Sequence, residues 1–255
     1  MLRPALVFVV LALAACSPPA PKPDGGSVDT SCGLDCAAQQ KFGLIIGTCF
    51  EYSNTNAGQN PASLGGEVLD VFTLEGGVKV IPLEYRELGQ LRMRDSFGIV
   101  GNELRLMRRE FAGGNSVTWK DSSNAIVGVG WLHTNSSSGE SIEVTRTATT
   151  VSGGGTGMNA DATHRVTVTE ITSTSSTASD LTTPLKTYES ALSMLFNAAP
   201  ATDNRRLWVP DVGFISFSNT FTLSGSGTAV PYKLQKIRDL KADGGSSTLC
   251  GFGGP

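Results

Sequence analysis

The stretch Gly213-Phe214-Ile215-Ser216-Phe217-Ser218-Asn219-Thr220-Phe221-Thr222-Leu223 decides the fold class. Ile215, Phe217, Phe221 and Leu223 fall on one face at a period of two; Ser216, Ser218, Thr220 and Thr222 fall on the other. That alternation marks a half-buried antiparallel strand. The same pattern of short apolar runs cut by turn residues extends outward through the chain. Residues 68–74 and 78–85 flank Glu75-Gly76-Gly77, a hairpin signal. Residues 91–94, 97–100 and 103–111 read as further strands, separated at Gly98 and at Gly101-Asn102. Residues 116–121, 126–132 and 231–240 continue the series, and residues 42–50 hold a first strand in a turn-rich lead-in that includes Gly65-Gly66. Residues 133–183 carry 23 Ser and Thr in 51 positions. Within them, 143–151 and 164–172 combine Thr with Val, and Thr suits a solvated strand face. Residues 173–179 read as low-complexity chain.

Many short strands with Gly-rich turns predict a mainly β protein with few or no helices. The expected architecture is an antiparallel curved sheet or open half-barrel, with a β-sandwich as the alternative. Of the 255 residues, 40% are apolar and 17% charged, too apolar a balance for a disordered chain. A net charge of −3 leaves no basic footprint for nucleic acid.

The amino terminus reads as an address. Arg3 precedes an eleven-residue apolar run, residues 5–15. That run is short of the ~20 residues a membrane-spanning helix needs and has the form of an export signal. It ends in Leu13-Ala14-Ala15-Cys16. This resembles the lipobox of bacterial lipoproteins. The resemblance implies cleavage after residue 15 and acylation of Cys16, with palmitate-type chains anchoring the protein in a membrane. Ser17, where an acidic residue would retain such proteins in the inner membrane, points to the outer membrane. Residues 16–31 then form a Pro- and Gly-rich tether, and residues 32–255 a single β-rich domain.

Cys32, Cys36, Cys49 and Cys250 remain after Cys16. An even number in an exported chain predicts two disulfides. All three pairings stay open, with Cys32–Cys36 and Cys49–Cys250 preferred. In each of them Cys250 joins the end of the domain to its beginning.

Leu207-Trp208-Val209-Pro210-Asp211-Val212-Gly213-Phe214-Ile215 resembles a segment of lipoprotein-carrier-like and uncharacterised envelope lipoproteins with a half-barrel sheet. Thr183-Pro184-Leu185-Lys186-Thr187-Tyr188 is similar to a turn that precedes another strand there. The resemblance implies a strand over residues 191–196, whose spacing alone would suit a helix. It departs at Asp211 and Lys186, where the family has Gly. In the carrier branch the concave face of the sheet holds acyl chains.

No cofactor or metal motif stands out. His133 and His164 lack a partner at metal-ligand spacing, and neither a nucleophile elbow nor a phosphate loop occurs. The arginines gather in one quarter of the domain, and Arg105, Arg108 and Arg109 form a candidate patch for a sugar-phosphate ligand or an acidic partner. Glu103 and Glu110 among them also suit cross-strand ion pairs. Trp119, Trp131 and Trp208 are candidates to line a pocket or bind sugar, and Trp119 and Trp131, in apolar strand settings, are expected in the core instead. The leading expectation is a non-enzymatic outer-membrane-anchored lipoprotein, an interaction or structural module with an envelope protein partner. The alternatives are a carrier of lipid or another apolar ligand, and an enzyme acting on the cell wall.

Overall fold

The computed structural model describes residues 33–54, 63–153, 155–171, 174–176, 186–188, 191–197, 204–219 and 230–239. Residues 31–255 form one compact unit. Residues 1–32, where the sequence reading expects the signal segment, Cys16 and the tether, lie outside the described residues, as does Cys250.

A short helix, α1 (Cys36–Phe42), precedes the strands β1 (Thr48–Asn54), β2 (Ser63–Val68), β3 (Phe72–Thr73), β4 (Lys79–Glu87) and β5 (Gln90–Val100). There follow β6 (Glu103–Phe111), β7 (Asn115–Lys120), β8 (Val129–His133), β9 (Ser141–Val151), β10 (Met158–Ile171) and β11 (Thr174–Ser176). The last are β12 (Lys186–Tyr188), β13 (Ala191–Asn197), β14 (Asn204–Val209), β15 (Gly213–Asn219) and β16 (Val230–Asp239). One antiparallel sheet runs β2-β1-β16-β15-β14-β13-β10-β9-β7-β6-β5-β4-β3, with β8 pairing β6. The mainly β, curved antiparallel architecture is therefore the one expected. β2 pairs β4 as well as β1, so the sheet curls back on itself and leaves β3 as an edge strand.

Curvature brings distant strands face to face. Phe97 of β5, Trp131 of β8 and Phe214 of β15 meet inside, with ring centroids 4.9 Å apart for Phe97–Trp131 and 5.8 Å for Trp131–Phe214. The Tyr52 hydroxyl of β1 donates to the Phe214 carbonyl at 2.9 Å. Trp131 and Trp208 are buried, and Trp119 packs against the same core. Ile81 belongs to this interior, whereas its neighbour Val80 packs with Leu74, Met107 and Ile126. Successive strand residues point to opposite faces, so that second cluster lies on the outer face.

Several boundaries depart from the sequence expectation. Residues 91–94 and 97–100 form one strand, β5, with no break at Gly98. A Cβ on Gly98 would lie 2.4 Å from the Met107 Cε, so the glycine gives Met107 room. Gly65-Gly66 is not a turn but part of β2, where the Tyr52 ring packs closely over Gly66. Residues 68–74 do not form one strand: β2 ends at Val68 and only Phe72–Thr73 pair again. Residues 42–50 split between α1 and β1. Asp35 caps α1 by accepting from the Ala38 amide at 3.1 Å, and Gly43 ends it at φ 69°. Of the low-complexity residues, Thr174–Ser176 pair with β12. Residues 191–196 are strand, as the family resemblance implied.

The turn between β14 and β15 holds Asp211, one of the positions at which the sequence departs from the resemblance. Asp211 adopts φ 63°, a conformation that favours Gly. Its amide donates to the Lys41 carbonyl at 3.0 Å, and its carboxylate lies 3.3 Å from the Lys41 ammonium. Cys49 is buried in β1 and disulfide-bonded. Cys36 sits exposed on α1.

Candidate functional site

Arg105, Arg108 and Arg109 share β6 but do not form one patch. The β5–β6 register shifts between Ser96 and Phe97, which leaves Met107 as an extra residue. A bulge of this kind flips the side-chain alternation. Leu104 and Leu106 face inward before it; Arg109 and Phe111 face inward after it. Arg105 and Arg108 stay on the outer face. Arg105 is held by Glu103 at 2.6 Å and 2.7 Å, and it also donates to the Val127 carbonyl at 3.3 Å. Arg109 grips Asp95 through two hydrogen bonds of 2.6 Å and 2.9 Å.

The inward arginine belongs to a buried polar cluster that sequence reasoning missed. Asp95 is fully buried, and Arg206 of β14 approaches its Oδ2, which Arg109 also contacts, at 3.3 Å. Arg206 also donates to the Tyr85 hydroxyl at 3.3 Å and lies 4.6 Å from the centre of the Trp131 ring. Desolvated cation–π contacts of this sort are worth ~2 kcal/mol. Burial pushes the Tyr85 hydroxyl up to about 12, although Arg206 opposes the shift. His164 is held down at about 4, by burial first and by Arg109 second, so its imidazole is neutral at pH 7. Aromatic rings and this ion-pair cluster therefore occupy the interior, where a carrier would place acyl chains.

The outer face carries a cavity of about 390 Å³. Its floor is polar: Ser116 and Thr118 from β7 and Thr149 from β9. Arg108, Thr118 and Thr149 occupy one cross-strand row, because Arg108 pairs with Thr118 and Thr118 with Thr149. The row continues to Asn159 of β10, which the Thr149 hydroxyl meets at 2.8 Å. One wall is the turn through Glu75, Gly76 and Val78, and the other is the loop carrying Asn124, Ala125 and Ile126. Asp121 shapes that loop by accepting from the Ser123 and Ala125 amides at 2.9 Å and 3.0 Å. Lys120 lines the cavity and donates to Asn124 at 3.1 Å. The sequence marked Arg108 but gave no cue to the three hydroxyls, which look like any solvated strand face.

Two further groups have defined geometry. Glu84 is buried under Arg86 and Arg94, and it stands directly opposite Glu67 across the β2–β4 ladder. His133 contacts Glu140 through Nδ1. Burial raises the Glu140 carboxyl, but hydrogen bonds from Ser136 and His133 outweigh it and leave the group below its ordinary value. Among the described residues, no group of three or more His, Cys, Asp or Glu could hold a metal ion. No helix among them is long and apolar enough to cross a membrane. No family model, curated protein or solved structure matches the chain.

Proposed function

We propose that this chain is a bacterial envelope lipoprotein, exported by residues 1–15 and anchored in the outer membrane through acylated Cys16. Its β domain acts as a non-enzymatic interaction module that meets a partner through its outer surface. The observation that carries this reading is the filled interior. Trp131, Phe97 and Phe214 pack across the concave side, and Asp95 ties β5 to β6 and β14 there. A sheet packed in this way is a stiff scaffold whose free surface faces outward. The packed interior also weighs against the carrier alternative, which needs an apolar cavity on that side.

The address supports the same reading. Several acyl chains at ~0.8 kcal/mol per buried methylene hold a protein stably at a bilayer. The Pro-rich tether, at ~3.1 Å per residue, would let the domain stand some ~40 Å off the surface. Membrane fractionation of Cys16→Ala tests the anchor, with release into the soluble envelope fraction as the expected result. In-cell crosslinking from Thr145 or Thr163, which hydrogen-bond to each other on the exposed β9–β10 face, tests the module. Discrete crosslinked partners support it, and an uncrosslinked chain at every outer-face position would overturn it.

A further inference from the structure

The outer-face cavity has the composition of a small-ligand site, and its ligand class follows from how its cations are held. Charge-assisted N–H···O bonds usually close to ~2.7–2.9 Å. Arg105 and Arg109 reach such distances, and their charges are engaged. Arg108 does not. Its terminal nitrogens lie 3.6 Å from Glu75 and 3.3 Å from Glu110, and the Glu75 carboxylate is largely exposed. Its buried Nε has no hydrogen-bond partner among the described residues. Lys120, the second cation lining the cavity, is met by the neutral Asn124 amide. Two loosely engaged cations thus face one cavity, above a floor of hydroxyls and beside the apolar side chains of Val78, Ile126 and Val151.

We infer that this cavity binds an acidic sugar: a monosaccharide unit that carries a carboxylate or a phosphate. The anionic group sits between Arg108 and Lys120, where guanidinium geometry favours an oxyanion and displaces the long contact with Glu75. Ser116 and Thr118 supply donors and acceptors for sugar hydroxyls, and Thr149, whose proton goes to Asn159, supplies an acceptor. The apolar side chains of Val78, Ile126 and Val151 accept the C–H face of the ring. The cavity volume of about 390 Å³ falls within the ~300–1,000 Å³ range of small-molecule sites. The row Arg108–Thr118–Thr149–Asn159, with Thr147 bonded to Asp161 beside it at 3.0 Å, leads out of the cavity onto the exposed β9–β10 surface. A longer acidic glycan has a polar track to follow there. This inference rests on the β domain alone and is independent of what happens at Cys16.

The test is calorimetric titration of the full chain in non-ionic detergent with glucuronate and with glucose 6-phosphate, using glucose and inorganic phosphate as controls. Saturable binding of at least one acidic sugar near or below ~1 mM is expected, with the two controls at least about tenfold weaker. Arg108→Gln and Lys120→Gln should each weaken it by about tenfold or more. Thr149→Val, which keeps the shape and removes the hydroxyl, should weaken it as well. Lys120 lines the cavity from β7 and Arg108 from β6, so the Lys120 variant keeps the test intact if Arg108→Gln misfolds. No saturable binding of either acidic sugar overturns the proposal. So does glucose or phosphate binding as tightly as the acidic sugars, or affinity retained in both cation variants.

Discussion

The Arg206 guanidinium of β14 lies 3.3 Å from the Asp95 carboxylate of β5, across the interior of the sheet and 111 residues away in sequence. Asp95 already receives two hydrogen bonds from Arg109 on the adjacent strand. One buried carboxylate thus joins the early strands to the late ones, and the aromatic core closes over it. Removing one partner of a buried ion pair strands the other charge, which typically costs ~3–5 kcal/mol. Asp95→Asn takes the buried counter-charge away from both Arg109 and Arg206. Urea unfolding of this variant should show a loss of that order with an unchanged slope. A loss under ~1 kcal/mol would mean that the arginines find other partners or water when Asp95 is gone.

Gly43 ends α1 against the β14–β15 turn. At φ 69°, its amide donates to the Gln40 carbonyl and the following Leu44 amide donates to Gln39, both at 2.9 Å. A Cβ there would sit 2.4 Å from backbone atoms of Val212 and Gly213. Gly43→Ala therefore adds a left-handed conformation, at ~1–3 kcal/mol, to a backbone overlap that no side-chain movement relieves. Thermal unfolding should show a larger drop for Gly43→Ala than for Gly76→Ala. Gly76 has a similar φ of 75° but open space around it. Equal drops would show that the turn moves away freely.

The fold class is legible in the sequence because period-two alternation and turn residues are local signals. β6 illustrates this: the pattern predicts a strand over residues 103–111, and the structure has one with the same ends. Its side-chain directions are not legible, because the bulge at Met107 is set by the partner strand β5. For that reason Arg108 and Arg109 look like one patch in the sequence and point to opposite faces in the fold. Gly98 and Gly65-Gly66 mislead for a related reason. Each allows close approach by a side chain from another strand, Met107 or Tyr52, and no local pattern reports such a contact. Asp95 and Arg206 are invisible as a pair because charged residues are rarely fully buried. The strand over residues 191–197 carries a helical spacing, and its pairing with β10 and β14 overrides it.

His164 makes stability pH-dependent below neutrality. Its folded value is lowered from 6.5 to about 4, by burial and then by Arg109. Between those values the unfolded chain takes up a proton that the folded chain refuses, so stability falls as pH drops from 6.5 towards 4. Each pH unit between the folded and unfolded values corresponds to ~1.4 kcal/mol, so this group removes up to ~3 kcal/mol. Chemical denaturation at pH 7 and pH 5 should show a smaller difference for His164→Asn than for the parent chain. The same pH slope in both would place the proton uptake on another group.

Glu67 acts in the opposite sense at the β2–β4 ladder. Burial first, and the facing Glu84 second, raise its carboxyl above the ordinary value, with Arg86 opposing. A raised folded value means that the folded chain holds its proton longer than the unfolded one. Ionisation of Glu67 therefore weakens the fold as pH rises through that value. Like charges directly opposite on antiparallel strands are destabilising by up to ~1 kcal/mol, and Glu84 cannot move away because Arg86 and Arg94 hold it. Glu67→Gln removes the repulsion and keeps the shape. It should stabilise the chain by about 0.5–1 kcal/mol at pH 7, and the gain should shrink at pH 4, where Glu67 in the parent chain is protonated. A variant that destabilises at pH 7 would show that the Arg86 attraction outweighs burial and the facing carboxylate.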